Sequence, residues 1–100
     1  MPRNRYKARS EVWLYPGQTP WHFVTLPERQ SEVIKKTFGA RAKGWGSLPV
    51  KVTIGTTSWR TSIFPDKKSG TYLLPLKSEV RKKEHIYRGD SIWYVIEVQS

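Results

Sequence analysis

The 100-residue sequence contains no cysteine and only one methionine, and none of its apolar runs is long enough to span a bilayer. Without cysteine, disulfide bonds and thiolate metal sites are excluded. The N-terminal residues carry no signal-peptide pattern. We therefore expect a cytoplasmic protein with no membrane segment.

Acidic residues are also scarce. The chain has 8 Asp and Glu and 18 Lys and Arg, which gives a net charge of +10. A net charge of this size attracts phosphates, acidic lipids or acidic proteins over long distances. The alternative interpretation is a highly soluble protein whose basic surface has no anionic partner. At this length, residues 1–100 are expected to form one domain with a single modest core.

A short motif occurs twice in the chain, as SEVIKK at 31–36 and as SEVRKK at 78–83. Each copy follows a strand-like segment that ends in Leu-Pro, at 26–27 and at 74–75. Each copy is followed by a glycine turn and a β-rich segment. This agreement predicts a duplicated unit, with halves at about 21–54 and 71–99, packed about an approximate two-fold axis.

The hydrophobic pattern predicts the element order β-β-α-β-β-β-α-β. Strands are expected at 7–15, 21–26, 50–54, 59–64, 71–74 and 91–98, and helices at about 28–38 and 76–84. Pro27 and Pro75 are each expected to end a strand and open a helix, because proline has no N–H for a ladder.

Apolar spacing predicts which side of each element faces the core. Val33, Ile34 and Phe38 are expected to form the apolar edge of the first helix. Leu76 and Val80 are expected on the buried side of the second. In the strand at 50–54, the side chains of Val50, Val52 and Ile54 are expected to point inward.

The segments LPLKSEVR at 74–81 and IYRGDSI at 86–92 resemble the swapped-hairpin motif of AbrB-like transcription regulators and antitoxins. In that group two chains interleave into a double-split β-barrel, and basic residues on one face contact DNA. The resemblance implies that Arg81 is the motif arginine. Glu84-His85 stands where the regulators have leucine-glycine, and residues 41–47 replace the glycine-aspartate turn in the first copy. These departures argue against a symmetric DNA-reading face.

Four further runs are spread over most of the chain: FVTLP at 23–27, GWGSLPV at 44–50, WRTSIFP at 59–65 and YLLP at 72–75. Together they resemble an uncharacterised bacterial and archaeal family, domain of unknown function nineteen-oh-five. The resemblance implies an all-β fold with two short helices. It further implies a double-split β-barrel within one chain, with an internal pseudo-two-fold repeat and helical caps. It implies little about function.

The residue types needed for catalysis are few and dispersed. His22 and His85 have no cysteine or clustered carboxylate near them at metal-ligand spacing. No carboxylate pair suited to acid–base catalysis is visible, and no serine sits in a nucleophile elbow. We predict that the protein is not an enzyme and that it has no metal ion, cofactor-binding residues or catalytic residues.

Trp45 lies between Gly44 and Gly46 on a basic loop, and two interpretations are open for it. The ring could stack on a nucleic-acid base, as aromatic side chains do in single-strand-binding proteins. It could instead plug the end of the barrel. Because aromatic rings are usually buried, the plug is the favoured interpretation.

Basic residues occur in two groups around the repeated motif and in an N-terminal arm at about 1–5. If the two-fold is real, Lys35 and Lys36 on the first helix match Lys82 and Lys83 on the second. Two solvated helix faces are the alternative. The candidate nucleic-acid-binding residues are Arg3, Arg5, Lys35, Lys36, Arg41, Lys43, Trp45, Arg81, Lys82, Lys83 and Arg88.

Charge and resemblance together predict a small basic β-barrel that binds nucleic acid, either DNA or RNA, through phosphate contacts with little sequence readout. The alternative is a protein-interaction module or a barrel that binds a small ligand, which the aromatic content favours. An internal two-fold makes a monomer self-sufficient, and a homodimer is also open.

Overall fold

The computed structural model describes residues 4–17 and 21–99, in which strands predominate. The strands are β1 Arg5–Glu11, β2 Trp13–Leu14, β3 His22–Thr25, β4 Leu48–Ile54, β5 Thr57–Asp66, β6 Thr71–Pro75 and β7 Ser91–Val98. The helices are α1 Glu28–Phe38 and α2 Ser78–Glu84, and a 3-10 turn, Gly39–Arg41, follows α1. A mostly β fold with two short helices is confirmed. Neither helix has the length and apolar character that a bilayer crossing requires, within these described residues.

The strands form one antiparallel, curled sheet in the order β1-β7-β4-β5-β6-β3-β2. Its two edge strands, β1 and β2, are separated in the chain only by Val12. The sheet therefore curls until its edges meet along the chain. β5 runs through both halves of the curl, since it pairs with β4 as far as Ile63 and with β6 from Phe64.

The break at Val12 corrects the prediction of one continuous strand over 7–15. The Val12 N–H donates to the carbonyl of Asp90 at 2.8 Å, and the Val12 carbonyl accepts from the N–H of Gly89 at 2.8 Å. These two bonds attach Val12 to the turn before β7 instead of to a neighbouring strand. The chain bends there and leaves one side of the sheet for the other.

The core lies inside the curl and is built from alternate strand residues. Val50, Val52 and Ile54 of β4 are buried, as predicted from their spacing. Val50 and Val52 pair with Val98 and Ile96 of β7, so the core continues across the strand boundary.

Two hydroxyl groups meet inside the curl. Burial leaves Tyr94 only 1% exposed, and its hydroxyl lies 2.7 Å from the hydroxyl of Ser10. The Ser10 hydroxyl also donates to the carbonyl of Thr25 at 2.8 Å. This chain of bonds links β7, β1 and β3 across the inside of the curl.

Helix α1 has the predicted bounds but a different buried face. Ile34 and Phe38 are buried, whereas Val33 is 44% exposed, so its predicted place in the core is wrong. Ser31 is fully buried in its stead. Positions 31, 34 and 38 fall on one helical stripe, and position 33 points about 100° away from position 34.

Ser31 has a structural role that explains a buried polar side chain on this stripe. Its hydroxyl accepts a hydrogen bond from the backbone N–H of Tyr72 at 3.2 Å and donates to the carbonyl of Leu26 at 3.5 Å. Tyr72 belongs to β6, so the serine of the first SEV motif supports the strand that precedes the second SEV motif.

The two prolines differ in how they meet their helices. Pro27 directly precedes α1, as predicted. Pro75 ends β6, but α2 begins only at Ser78, so the expectation that Pro75 opens a helix at 76 is wrong. The Leu76 N–H still donates to the carbonyl of His22 at 2.9 Å, which holds the chain extended past the proline. Leu76 and Val80 are buried as expected.

Candidate nucleic-acid interface

Helix α2 borders two adjoining cavities, each of about 400 Å³, which we together name the α2 cleft. They adjoin at His22 and Arg81, which line both. The other lining residues come from the position before β3, from β5, from the end of β6 and the segment after it, and from α2 and the turn that follows. They are Trp21, Thr61, Pro75, Leu76, Lys77, Ser78, Lys82, Ile86, Tyr87 and Arg88.

Arg81 is the central basic group of the α2 cleft and is partly buried. Its Nε donates a hydrogen bond to the carbonyl of Leu76 at 3.1 Å, and the Leu76 N–H in turn donates to the carbonyl of His22. This chain of bonds holds the guanidinium at the junction of the two cavities. Since a guanidinium has five N–H donors, a planar fork remains that suits a phosphate.

The turn after α2 holds Tyr87 and Arg88 in place at one end of the cleft. The Tyr87 N–H donates to the carboxylate of Asp90 at 2.8 Å, and the Asp90 N–H donates to the carbonyl of Tyr87 at 3.0 Å. Gly89 has φ +91° and is bonded to Val12, as described above. The carboxylate of Asp90 therefore caps the turn. Arg88-Gly89-Asp90 thus forms a tight turn between α2 and β7.

Trp21 forms the opposite end of the cleft and belongs to an aromatic cluster on the β2–β3 hairpin. Its ring stacks on Phe23 with centroids 6.2 Å apart and planes at 15°, and Phe23 stacks on Trp13 at 5.2 Å. The indole N–H of Trp13 donates to the hydroxyl of Thr25 at 2.9 Å, which anchors the stack. Trp21 is 54% exposed and Tyr87 is 66% exposed. Both ends of the cleft thus present aromatic rings to solvent.

Few carboxylates offset the basic side chains. Over residues 4–17 and 21–99, the one ion pair between basic and acidic side chains joins Arg5 to Glu97 at 4.0 Å, on an exposed surface. Glu84 of α2 points away from the cleft and accepts hydrogen bonds from Thr57 at 2.5 Å and Thr56 at 3.5 Å. Among the described residues, Arg81, Lys82 and Arg88 of the cleft form no ion pair with a carboxylate.

The structure places the predicted binding residues in different parts of the fold. Arg81, Lys82 and Arg88 come together in the α2 cleft, and Lys83 is exposed on the same helix. Lys35 lines a cavity of about 190 Å³ beside the 66–70 turn, and Arg41 and Lys43 line one of about 80 Å³ beyond α1. Lys36 is exposed on α1, and Arg5 lies in β1 instead of a loose arm. Arg3 lies outside the described residues.

Trp45 is 93% exposed, so its predicted role as a plug of the barrel is wrong. The loop that carries it is closed by backbone bonds between Lys43 and Ser47, at 3.0 Å in both directions. Gly44 and Gly46 have φ of +44° and +92°. These left-handed conformations turn the chain so tightly that the indole projects outward and cannot reach the core.

Sequence reasoning missed the two aromatic ends of the cleft. Trp21 precedes a strand whose Val24 and Leu26 are buried, and alternation from these positions would have placed Trp21 and Phe23 on the opposite, outer side. Tyr87 carried no such signal, since it lies in a turn. Its position depends on the bonds between the turn and Val12.

His22 opens β3, and His85 lies at the end of α2. His85 is the residue just past α2 and adopts a left-handed conformation with φ 54°. Within the described part of the chain, His, Asp and Glu nowhere gather in a group of three or more that could hold a metal ion.

Comparison with known proteins adds a family but no activity. A family model described as Domain of unknown function (DUF1905) matches residues 9–96. This span includes both helices and the whole α2 cleft. No curated protein matches the sequence.

Proposed function

The chain belongs to the family described as Domain of unknown function (DUF1905), and from this premise we propose that it binds single-stranded nucleic acid in the α2 cleft. The family description names no activity, so the proposal is argued from the cleft. It is carried by one observation: Arg81 is held by Leu76 where two cavities adjoin, one lined by the exposed ring of Trp21 and the other by the exposed ring of Tyr87.

The chemistry of the cleft suits a single strand better than a duplex. Aromatic rings on which bases can stack are useful only when the bases are unpaired. Arg81, Lys82 and Arg88 then neutralise backbone phosphates between the stacked bases. Either DNA or RNA fits this scheme, because stacking and phosphate contacts use groups that both share.

We expect little sequence preference. Lys82 acts as a point charge, and stacking on Trp21 or Tyr87 accepts any base. The role is one of binding without catalysis, in the cytoplasm. Because a single chain contributes every residue of the cleft, a monomer is sufficient. A nucleic acid longer than the cleft would reach further candidate residues outside it. These are Lys35, Lys36, Lys83, Arg41, Lys43 and Trp45.

The proposal includes a finer view of the fold, a double-split β-barrel with an internal two-fold axis. Each half would consist of a long strand that takes part in both sides of the curl, then a strand, a helix and a strand. The long strands are β1 with β2 in one half and β5 in the other. Exchanging the two long strands, β3 with β6 and β4 with β7 turns every strand pair of the sheet into another of its strand pairs, which supports the duplication and the likeness to the AbrB-like regulators.

The test is a binding titration with a fluorescent oligothymidylate of about 12 nucleotides, within the range of single-strand sites. Anisotropy is measured at several salt concentrations for the wild type and for the double variant Lys82→Ala, Arg88→Ala. Since a single-strand contact contributes a log–log slope of about −0.7 per phosphate, the variant should flatten the slope by about 1.4. A duplex of the same length should bind less tightly.

The matched control is Lys67→Ala, Lys68→Ala, which removes the same charge from the exposed 66–70 turn outside the cleft. It is expected to weaken binding much less. Trp21→Ala should cost about 1 to 3 kcal/mol of binding free energy, whereas Phe64→Ala, also an exposed aromatic, should cost little. If the two double variants bind equally, the attraction is only the net charge and the cleft is not the site.

A further inference from the structure

The outer surface of β1, β7, β4 and β5 carries a second concentration of basic side chains, which we name the strand face. Its basic residues are exposed and come from three strands, with one exposed tryptophan among them. They are Arg5, Lys7, Arg9, Lys51 and Arg60, together with Trp93. The carboxylates on this surface are Glu11 and Glu97.

The register of the sheet sets these groups out as a regular grid. Directly paired residues of β1, β7, β4 and β5 form one row across the sheet. In this order they are Arg5, Glu97, Lys51 and Arg60. Along β1, Arg5, Lys7 and Arg9 point to one face and repeat about every 6.8 Å. A regular spacing of like charges suits a partner whose charges also repeat.

Trp93 holds two of these cations in place. The Lys7 Nζ lies 5.1 Å from the centre of its ring, and the Arg9 guanidinium carbon lies 5.8 Å from it. Trp93 pairs directly with Arg9 in the sheet. A cation over an aromatic ring is attracted by the ring's negative face. The lysine and arginine are therefore ordered on the strand face before any partner arrives.

On β5, the α2 cleft and the strand face use side chains that point in opposite directions. Thr61 of β5 lines the cleft, while its neighbour Arg60 belongs to the strand face. Successive strand residues point to opposite faces. One bound segment therefore cannot fill both surfaces by lying flat on one of them.

We propose that the strand face binds a second nucleic-acid segment, so that one protein molecule holds two segments on two separate surfaces. This inference rests on the proposed function of the α2 cleft. The occupant is inferred from charge: five basic side chains against two carboxylates, at regular intervals, complement a repeating polyanion. Two cations lie over the ring of Trp93, and a ring among positive charges suits a polyanion better than it suits insertion into a membrane.

The experiment measures how many oligonucleotides one protein binds and whether two come close together. Donor-labelled and acceptor-labelled oligothymidylates, which cannot pair with each other, are mixed with the protein at low salt. The wild type should bind two oligonucleotides and produce energy transfer between them. Transfer should fall when protein is in excess, since each molecule then holds one strand.

Two variants distinguish the surfaces, and a melting curve for each confirms that it folds. The face variant is Lys7→Ser, Lys51→Ser, Arg60→Ser, and it should bind one oligonucleotide and lose the energy transfer. The cleft variant is Trp21→Ala, Lys82→Ala, Arg88→Ala, and it should also bind one, with no transfer.

The possible failures separate the two proposals. In one outcome the wild type binds a single oligonucleotide, and the cleft variant binds none. The proposal of a second segment is then wrong, and the proposed function of the α2 cleft is kept. A wild type that binds no strand overturns both. If the strand face instead binds phosphatidylserine vesicles in a manner that the face variant abolishes, and oligonucleotide stoichiometry stays at one, the partner is a membrane surface and the inference is wrong.

Discussion

Replacing Ser31 by alanine should destabilise the protein more than the same change at Ser78, although both serines open the same repeated motif. Ser31 is fully buried and accepts a hydrogen bond from the Tyr72 N–H at 3.2 Å. Ser78 is exposed at the first position of α2. Alanine at position 31 would leave the Tyr72 N–H buried without that acceptor.

The magnitude follows from the cost of an unsatisfied buried donor, about 1 to 3 kcal/mol. The bonds of Ser31 at 3.2 and 3.5 Å are long, so the lower part of the range applies, about 1 to 2 kcal/mol. For a domain of this size, each kcal/mol lowers the melting temperature by about 4–8 °C. The gain in helix propensity from serine to alanine is shared by both variants and cancels in the comparison.

The assay compares thermal melting of Ser31→Ala and Ser78→Ala by circular dichroism, together with amide exchange at Tyr72. Ser78→Ala should change the free energy of unfolding by no more than about 0.5 kcal/mol. Ser31→Ala should melt lower and exchange the Tyr72 amide faster. Equal melting temperatures and an unchanged exchange rate would show that the serine does not support β6.

Two further predictions concern a buried phenol and an exposed indole. Burial raises the pKa of Tyr94 from 10.0 to about 12, with the Ser10 hydrogen bond lowering it in part. Because the folded pKa lies above the unfolded one, this contribution to stability is complete below about pH 10 and is lost as the pH rises towards 12. Absorbance titration of tyrosinate should show this late ionisation, absent in Tyr94→Phe; uniform titration near pH 10 in the folded protein would contradict it. Trp45→Ala should change the free energy of unfolding by less than about 0.5 kcal/mol, whereas Trp59→Ala, which packs against the core, should lower it by about 3 kcal/mol. Urea denaturation measures both, and equal losses would mean that Trp45 is buried after all.

The elements with strong local patterns could be predicted closely from the sequence. The bounds of β7 match the predicted 91–98, because this segment alternates and is rich in β-branched and aromatic residues. The bounds of α1 match as well, since Pro27 fixes its start. The local sequence is sufficient to predict the bounds of an element where the tertiary contacts favour the same structure.

The wrong predictions concern positions whose burial or strand pairing depends on residues far away in the sequence. Val33 is apolar and adjacent to Ile34, yet it points away from the buried stripe of α1, on which the Ser31 hydroxyl accepts a hydrogen bond from the N–H of Tyr72. The first strand breaks at Val12 because Gly89 and Asp90, far along the chain, supply its hydrogen bonds. Neither partner is visible in the local pattern.

The candidate site could be predicted from the sequence only in part, because some of its residues are close in sequence and others are brought together by the fold. Arg81, Lys82 and Arg88 are close in sequence, so their grouping needed no knowledge of the fold. Trp21 joins them only through the pairing of β3 with β6, in which Phe23 lies opposite Pro75. The prediction for Trp45 relied on the tendency of aromatic rings to be buried, and the positive φ angles of its flanking glycines override that tendency.

The pairing of β1 with β7 brings the ends of the described chain together. The Val98 N–H donates to the carbonyl of Asn4 at 2.8 Å, and the Asn4 side-chain amide donates to the carbonyl of Val98 at 3.0 Å. Ends this close are suited to circular permutation. A short linker could join them, and the chain could be reopened at Gly55-Thr56, the two-residue connection between β4 and β5. Every strand pair would be kept, but β1 would follow β7 directly, and the contact between the most distant parts of the present chain would become a local hairpin. Since local contacts form faster than distant ones, such a permutant should reach the same sheet by a different folding order.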